Sequence, residues 1–586
     1  MARPHRPTRP TRRIELALAV IAVLGLVAAD NVAQPSTHVS RLASIVSREA
    51  RLFLRVDDPQ AFMRRARRTD IARALSGDEA AFARESLLRL SADLSMFLPP
   101  VIMDAIPAML SRAEGELALS VEGFVAEDGR PRPDVLLVAD VAGFETLLED
   151  LLEASYGKVD IEDVVFDHDL PFEVDGRPRV EKHRGADVIR LQISGGSTLV
   201  LTTHRGLLLG ARRVQRVQVA LDRMERPQFG SLADDPAFTR AWGEVDPAPG
   251  SLFAYTNLRL LRRDSPFLRA DDVRLRGLFV DQLAEYDAGA LFLRGVNDRF
   301  EARGWLEVGA ARRAGLPLLG GDAPFEAPTY VSGDVTASLS FRLDGSRFGD
   351  LLAWLNPRVG GLFESDHVVE TFQSVTTVQE RQELAGLLGG EATLLHPRLI
   401  QGRLPTTVAM IRSSNPSRLS ALLDRIADRK QLIRAIDSRF GRTYTIAILA
   451  NLHLARPAFT IRDGWLIGAP NSMALHAVCG PLGADDSPLH RTEEYVAPFD
   501  ALDRPVDGSR TAVLFLDTPR LGPAASIWLT GVAPRAMLSV DASEAADFLN
   551  DLLQLWDDPE VHEALHGTLV VTRSRPLGVR IEAVGP

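Results

Sequence analysis

Cysteine is almost missing from this chain. Among 586 residues there is one, Cys479, so no internal disulfide forms in any compartment and the fold must hold by its core. The same thiol lies far from the chain start and gives no lipid-attachment cysteine behind an N-terminal apolar segment. Lysine is nearly as scarce, with three (Lys158, Lys182, Lys430) against 64 arginines; no function is read from that skew. The only Gly-Lys pair, Gly157-Lys158, precedes Val159 and lacks a glycine-rich lead, which excludes a phosphate cradle of that type. A Gly-x-Ser-x-Gly elbow is also missing.

Beyond the first 13 residues, basic side chains are outnumbered by acids. The first 13 carry Arg3, Arg6, Arg9, Arg12 and Arg13 with no acid, leaving 62 basic against 78 acidic side chains in the remainder, within a net charge of −11. A body that acidic does not suit nucleic acid, whose phosphates need cationic partners. Hydrophobic content of 46% and charged content of 25% fit an ordinary globular protein, and the length asks for more than one core.

What is present starts with the basic flank and an apolar run over residues 16–29, 14 residues long. Positive flank, apolar stretch and small residues (Val27-Ala28-Ala29) form an export signal. The run is short for spanning a bilayer, yet Arg12 and Arg13 are placed to hold it as an anchor, so cleavage and anchoring both follow. Residues 1–33 are read as signal peptide or signal anchor. The body is expected at the periplasmic or extracellular face of the cytoplasmic membrane, with residues 14–29 as its attachment if uncleaved.

The body repeats itself. PDVLLVADVAGFETLLEDLL (133–152) returns as PTTVAMIRSSNPSRLSALLDRI (405–426), and LVLTTHRGLLLGA (199–211) as PAFTIRDGWLIGA (457–469). The helices carry matching apolar stripes, Phe144, Leu147, Leu148, Leu151 and Leu152 against Leu419, Leu422, Leu423 and Ile426. Strand-then-helix segments also recur at 52–62, 339–352 and 537–553, and the Gly/Pro-rich stretch 314–328 reads as a linker. The expected fold is α+β, two tandem copies (34–320 and 321–586) of a mostly antiparallel sheet with helices packed on one face.

The segments RVDDPQAFMRRARRTDIARAL (55–75), STLVLTTHRGLLLGA (197–211), SLADDPAFTRAW (231–242) and SLFAYTNLRLL (251–261) carry a resemblance. The chain resembles an uncharacterised bacterial family of exported or membrane-anchored proteins, a domain of unknown function. The resemblance covers most of the first copy and fades in the second, where Asp-Asp-Pro returns only at 557–559. It implies an extracytoplasmic location and brings no catalytic residues.

The sharpest chemical pattern is His562-Glu563-Ala564-Leu565-His566. Two histidines four apart on a helix can face one Zn²⁺, with Glu563 as general base for water. Gly567 stops that helix early, and DDPEVHEAL (557–565) sits in the same context as DDPAFTRAW (234–242), which has no His or Glu at those places. A surface helix is the plainer reading. His476 and Cys479 lack further metal partners. The acidic loop with Asp167, Asp169, Glu173 and Asp175 fails the Ca²⁺-loop template at Pro171. Arg64, Arg65, Arg67, Arg68 and Arg73 make one helix basic; a solvated helix balanced by Asp70, Asp78 and Glu79 is the plainer reading, and a seat for anionic head groups or a partner's acidic face is the alternative.

The sequence therefore favours a non-enzymatic cell-envelope protein that binds or scaffolds, without cofactor, with an envelope protein, lipid or glycan as partner. The alternative is an exported zinc-dependent hydrolase centred on His562, Glu563 and His566.

Overall fold

The computed structural model describes residues 40–69, 72–73, 112–127, 130–168, 170, 173–193, 196–226, 230–264, 286–297, 299–308, 325–343, 376–397, 408–430, 433–437, 441–445, 458–469, 474–475, 487–502, 510–517, 567–575 and 577–585. The chain divides into two compact units, one through Ala310 and one from Ala311, with Leu577–Arg580 counted in the first. Both are α+β, and every strand pairing with a resolved register is antiparallel.

The first unit contains β1 (Leu52–Val56), α1 (Pro59–Ala66), β2 (Leu117–Glu127), β3 (Arg130–Asp140), α2 (Glu145–Ser155), α3 (Ile161–Asp167), β4 (Arg179–His183), β5 (Ala186–Ile193), β6 (Ser197–His204) and β7 (Leu207–Ala211). After these come α4 (Val214–Glu225), α5 (Pro236–Val245), β8 (Leu252–Thr256), α6 (Leu258–Asp264), β9 (Tyr286–Val296) and β10 (Arg299–Val308). Across the sheet the strands run β4-β5-β6-β7-β3-β2-β1-β8-β9-β10.

The second unit contains β11 (Val335–Leu343), α7 (Val378–Leu387), β12 (Leu388–Pro397), β13 (Val408–Ser413), α8 (Pro416–Lys430), β14 (Ile433–Asp437), β15 (Gly441–Thr445), β16 (Ala458–Arg462) and β17 (Trp465–Ala469). It closes with α9 (Glu493–Leu502), β18 (Arg510–Leu516), β19 (Thr568–Arg575) and β20 (Gly578–Gly585). Its strands run β14-β15-β16-β17-β13-β12-β11-β18-β19-β20. Renumbered from its own first strand, that order is the same as the first.

Matching details accompany the order. The Leu232 N–H donates to the Val46 carbonyl at 2.9 Å, and the Leu489 N–H donates to Val331 at 2.9 Å. The Asn257 N–H reaches the Arg51 carbonyl at 3.0 Å, and the Asp517 N–H reaches Thr336 at 2.9 Å. The β6–β7 turn at Arg205-Gly206 and the β16–β17 turn at Asp463-Gly464 both hold their central residues at positive φ, 53° and 74° against 49° and 85°. That is the turn whose twist suits a two-residue hairpin.

The helices do not keep to one face of the sheet, which corrects the sequence-based expectation. In the first unit α4 and α5 bury Val217, Leu221, Phe238 and Trp242 against Phe53, Val188, Leu207 and Leu209. On the opposite face α2 and α3 bury Leu148, Leu151 and Val164 against Ile189, Leu191 and Leu208. Neighbours Leu207 and Leu208 thus point into different cores, and all five residues of β7 are buried. A strand covered on both sides must be apolar throughout, as LLLGA is. The second unit does likewise, with Trp465 and Ile467 in one core and Leu466 packed beside α7 and α8 in another.

Aromatic rings fill the first core. The Phe238 ring lies 5.1 Å from Tyr255, 5.7 Å from Phe53 and 5.9 Å from Phe253, each edge to face, a geometry that adds to the burial itself. Phe238→Ala is expected to lower unfolding free energy by about 3–5 kcal/mol. Val219→Ser on exposed α4 surface should stay within about 0.5 kcal/mol; urea denaturation of both variants checks the contrast.

Candidate functional site

Charges are buried inside these cores, and they gather where a strand position that should be apolar carries an acid. Glu122 on β2 has a side chain with 0% exposure. Arg216 and Arg223 of α4 bind it, Arg223 at 3.1 Å, and the Ser47 N–H donates to it at 2.7 Å. Asp134 on β3 accepts from Arg213 Nε at 3.3 Å and Arg216 Nε at 3.1 Å. Arg216 bridges both acids because α4 crosses β2 and β3 with residues 213, 216 and 223 on one side. Arg223 also donates to the Ile45 carbonyl at 3.2 Å, fastening the segment ahead of β1. Burial opposes the charge on Asp134, but the hydrogen bonds from Arg216 and Arg213 overcome it and hold its pKa below the ordinary carboxylate value.

A second arrangement occurs in both units. Arg294 on β9 faces Glu301 on β10 across the hairpin, its Nη2 donating at 2.6 Å, with side chains 13% and 1% exposed. Arg573 on β19 donates to Glu582 on β20 at 2.7 Å, the side chains 5% and 0% exposed. The two pairs hold the same station, since Phe253↔Phe292 in one unit corresponds to Val513↔Val571 in the other.

A further acid secures the turn before the first strand. Glu116, just ahead of β2, lies 3.5 Å from Ser40 Oγ and accepts from Arg55 Nε at 2.8 Å. Glu391 on β12 accepts the N–H groups of Glu326 and Ala327, both at 2.8 Å. Burial dominates at Glu391 and raises its pKa, the two N–H donors only partly offsetting it. Burial likewise pushes the His396 pKa down and the Tyr255 and Tyr495 pKa values up.

Surface histidines of the first unit serve helices in the same way. The sequence His-Arg-Gly occurs at two turns, 183–185 and 204–206. His183 and Arg184 meet Asp222 at 3.3 and 2.6 Å; His204 and Arg205 meet Glu225, both at 2.8 Å. Both acids lie in the last turns of α4, three residues apart, where cations also suit the helix dipole. Asp222, chiefly through Arg184, and Glu225, chiefly through His204, are kept below their ordinary pKa.

Such an arrangement can hold elements together, but Asp134 held ionised has no proton to give near neutral pH. None of the sequence candidates is among these residues. His562, Glu563 and His566 lie outside the described residues, as do His476, Cys479 and Asp169. Asp167, Glu173 and Asp175 are exposed. Among the described residues no group of three or more His, Cys, Asp or Glu is placed to hold a metal ion. The Asp-Asp-Pro starts divide their labour: Asp58 caps Ala61 at 2.7 Å and Asp235 caps Ala237 at 2.7 Å. The acids before them turn outward from the helix, Asp57 to the Gly250 N–H at 2.8 Å and Asp234 to the Ser231 N–H at 2.9 Å.

The buried pairs were not singled out from sequence, though one signal exists. Arg299-Phe300-Glu301-Ala302 and Arg580-Ile581-Glu582-Ala583 repeat one another, each following an arginine at the end of an apolar strand, Arg294 or Arg573.

Comparison with known proteins adds little. No family model and no curated protein matches the chain. Solved structures sharing part of its path include crystal form III of TP0453, at 10% identity over 50% of this chain and 91% of that chain, TM-score 0.23. Crystal form I of TP0453 is similar at 11% identity over 47% of this chain and 81% of that chain, TM-score 0.22.

Two carboxylates should respond to pH with opposite signs. Asp134, depressed when folded, contributes stability that is present above the ordinary Asp value of about 3.9 and lost as pH falls through the folded value. Glu391, raised when folded, contributes stability that is present below about pH 4.3 and lost as pH rises through the folded value. Unfolding free energies from pH 3 to 7 should show Asp134→Asn converging on wild type in acid, and Glu391→Gln gaining on it as pH rises. At neutral pH, Glu122→Leu leaves two buried guanidinium groups without their shared partner and should cost about 3–5 kcal/mol.

Proposed function

We propose that the chain is a non-enzymatic extracytoplasmic protein that binds or scaffolds in the cell envelope, built from two copies of one α+β unit. The observation that carries the reading is the use made of buried charge. Glu122, Asp134, Glu301 and Glu582 are committed to guanidinium partners inside the fold, which is the chemistry of a scaffold holding strands and helices in register.

Duplication is supported by the shared strand order, the equivalent turns and the Arg–Glu pair at one station in each unit. A repeated scaffold offers two similar surfaces and suits binding. The location is supported by the sequence, through the basic flank, the apolar run over residues 16–29 and the family resemblance. An envelope protein, lipid or glycan is the proposed class of partner.

Expression in a bacterial host tests both parts. The chain should fractionate with the envelope and be digested by protease added to spheroplasts. The purified protein should hold zinc well below one equivalent per chain, with His562→Ala changing nothing. Stoichiometric zinc that disappears in His562→Ala would replace this reading with the hydrolase. Cytosolic, protected protein would remove the location.

A further inference from the structure

We infer that the arginine face of α1 is a docking surface for the anionic head groups of a phospholipid bilayer. The helix is two-sided. Pro59, Phe62, Met63 and Ala66 are buried, packed with Val56, Leu293, Phe300 and Ala302. Arg64 and, in the turn that continues the helix, Arg67 and Arg68 are exposed. Positions 64, 67 and 68 stand at i, i+3 and i+4, so they share one face. The acids at the start of α1 are engaged elsewhere: Asp57 accepts from Gly250 and Ser251 at 2.8 and 3.1 Å, and Asp58 caps Ala61. Arg65 turns aside to the Pro249 carbonyl. From Pro59 to Thr69 the chain carries four arginines and no acid, with Asp70 next; Arg67 is itself engaged, so Arg64 and Arg68 carry most of the face.

A bilayer is favoured over a soluble acidic partner by where the chain comes from. Residues 30–39 separate the apolar run from Ser40, a tether of about 40 Å at most when fully extended. Ser40 lies beside Glu116, which binds Arg55, four residues before Pro59. The chain therefore enters the first unit at the end of β1 from which α1 departs. An anchored apolar run holds that end near the membrane, where each arginine close to an anionic surface contributes about 1 kcal/mol, roughly fivefold in binding. This inference rests on the envelope location proposed above, with the apolar run kept as an anchor, and names the surface that faces the lipid.

The test uses the full chain and vesicles of phosphatidylcholine alone or with about 30 mol% phosphatidylglycerol, which supplies a negative surface potential. The quantity is the ratio of partition coefficients on the two vesicle types. The apolar run and its five leading arginines contribute equally to every variant. Arg64→Glu/Arg67→Glu/Arg68→Glu is expected to lower the ratio by more than tenfold. Arg179→Glu/Arg190→Glu, two exposed arginines paired across β4 and β5, should change it less than threefold. Raising salt should shrink the wild-type ratio toward the triple variant's. Circular dichroism confirms that each variant is folded. Equal losses in both variants, or no loss in the triple variant, would overturn the proposal while leaving the envelope location standing, since fractionation reads that separately.

Discussion

A carboxylate buried beneath helices must find a cation or backbone N–H groups within reach, or the sheet cannot close over it. That constraint shapes both units. Glu122 draws Arg216 and Arg223 of α4 and the backbone at Ser47 to a single point. It thereby fixes how α4 crosses the sheet and where the chain enters β1. Such pairs contribute little net free energy compared with a well-packed apolar replacement, but losing one partner is costly. Their effect is to select one arrangement of elements among several that the apolar cores would accept.

The same logic explains where the two units differ. Glu116 is served by a guanidinium and a hydroxyl, whereas Glu391, at the corresponding turn, is served by two backbone N–H groups. The second solution leaves burial uncompensated enough to raise the pKa. The Arg294–Glu301 and Arg573–Glu582 pairs, in contrast, are matched in both residue types and station.

Much of the fold was legible in the sequence because period and turn chemistry carry it. The stripe of Leu147, Leu148 and Leu151 and the Arg-Gly and Asp-Gly turns were readable as they stand. Two things were not. Leu207-Leu208-Leu209 is too short a run to show which helix covers which side, until helices on both faces explain it. The likeness of LFLRV (52–56) to LSFRL (339–343) suggests equating Arg55 with Arg342. The registers instead place Phe53 with Ser338, through Tyr255 and Phe515, and so Arg55 with Ser340. A two-residue slip keeps every side chain on its face, so the apolar pattern cannot detect it. Glu122 and Asp134 were missed for a related reason: one charge in an apolar strand looks like a solvent-facing position until its partner, some 80 to 100 residues away, is placed beside it.

The central claim is that one ten-stranded order is present twice. It predicts that residues equated by register have equivalent cross-strand partners, Leu54 with Ala254 and Leu339 with Leu514. With Cys479 replaced by Ser, cysteine pairs at 54/254 and at 339/514 should each form an intrachain disulfide on mild oxidation, because directly opposed strand residues lie within its reach. A pair shifted by one residue, 339/515, should cross-link poorly. Ready cross-linking at 54/254 with none at 339/514 would contradict the claim.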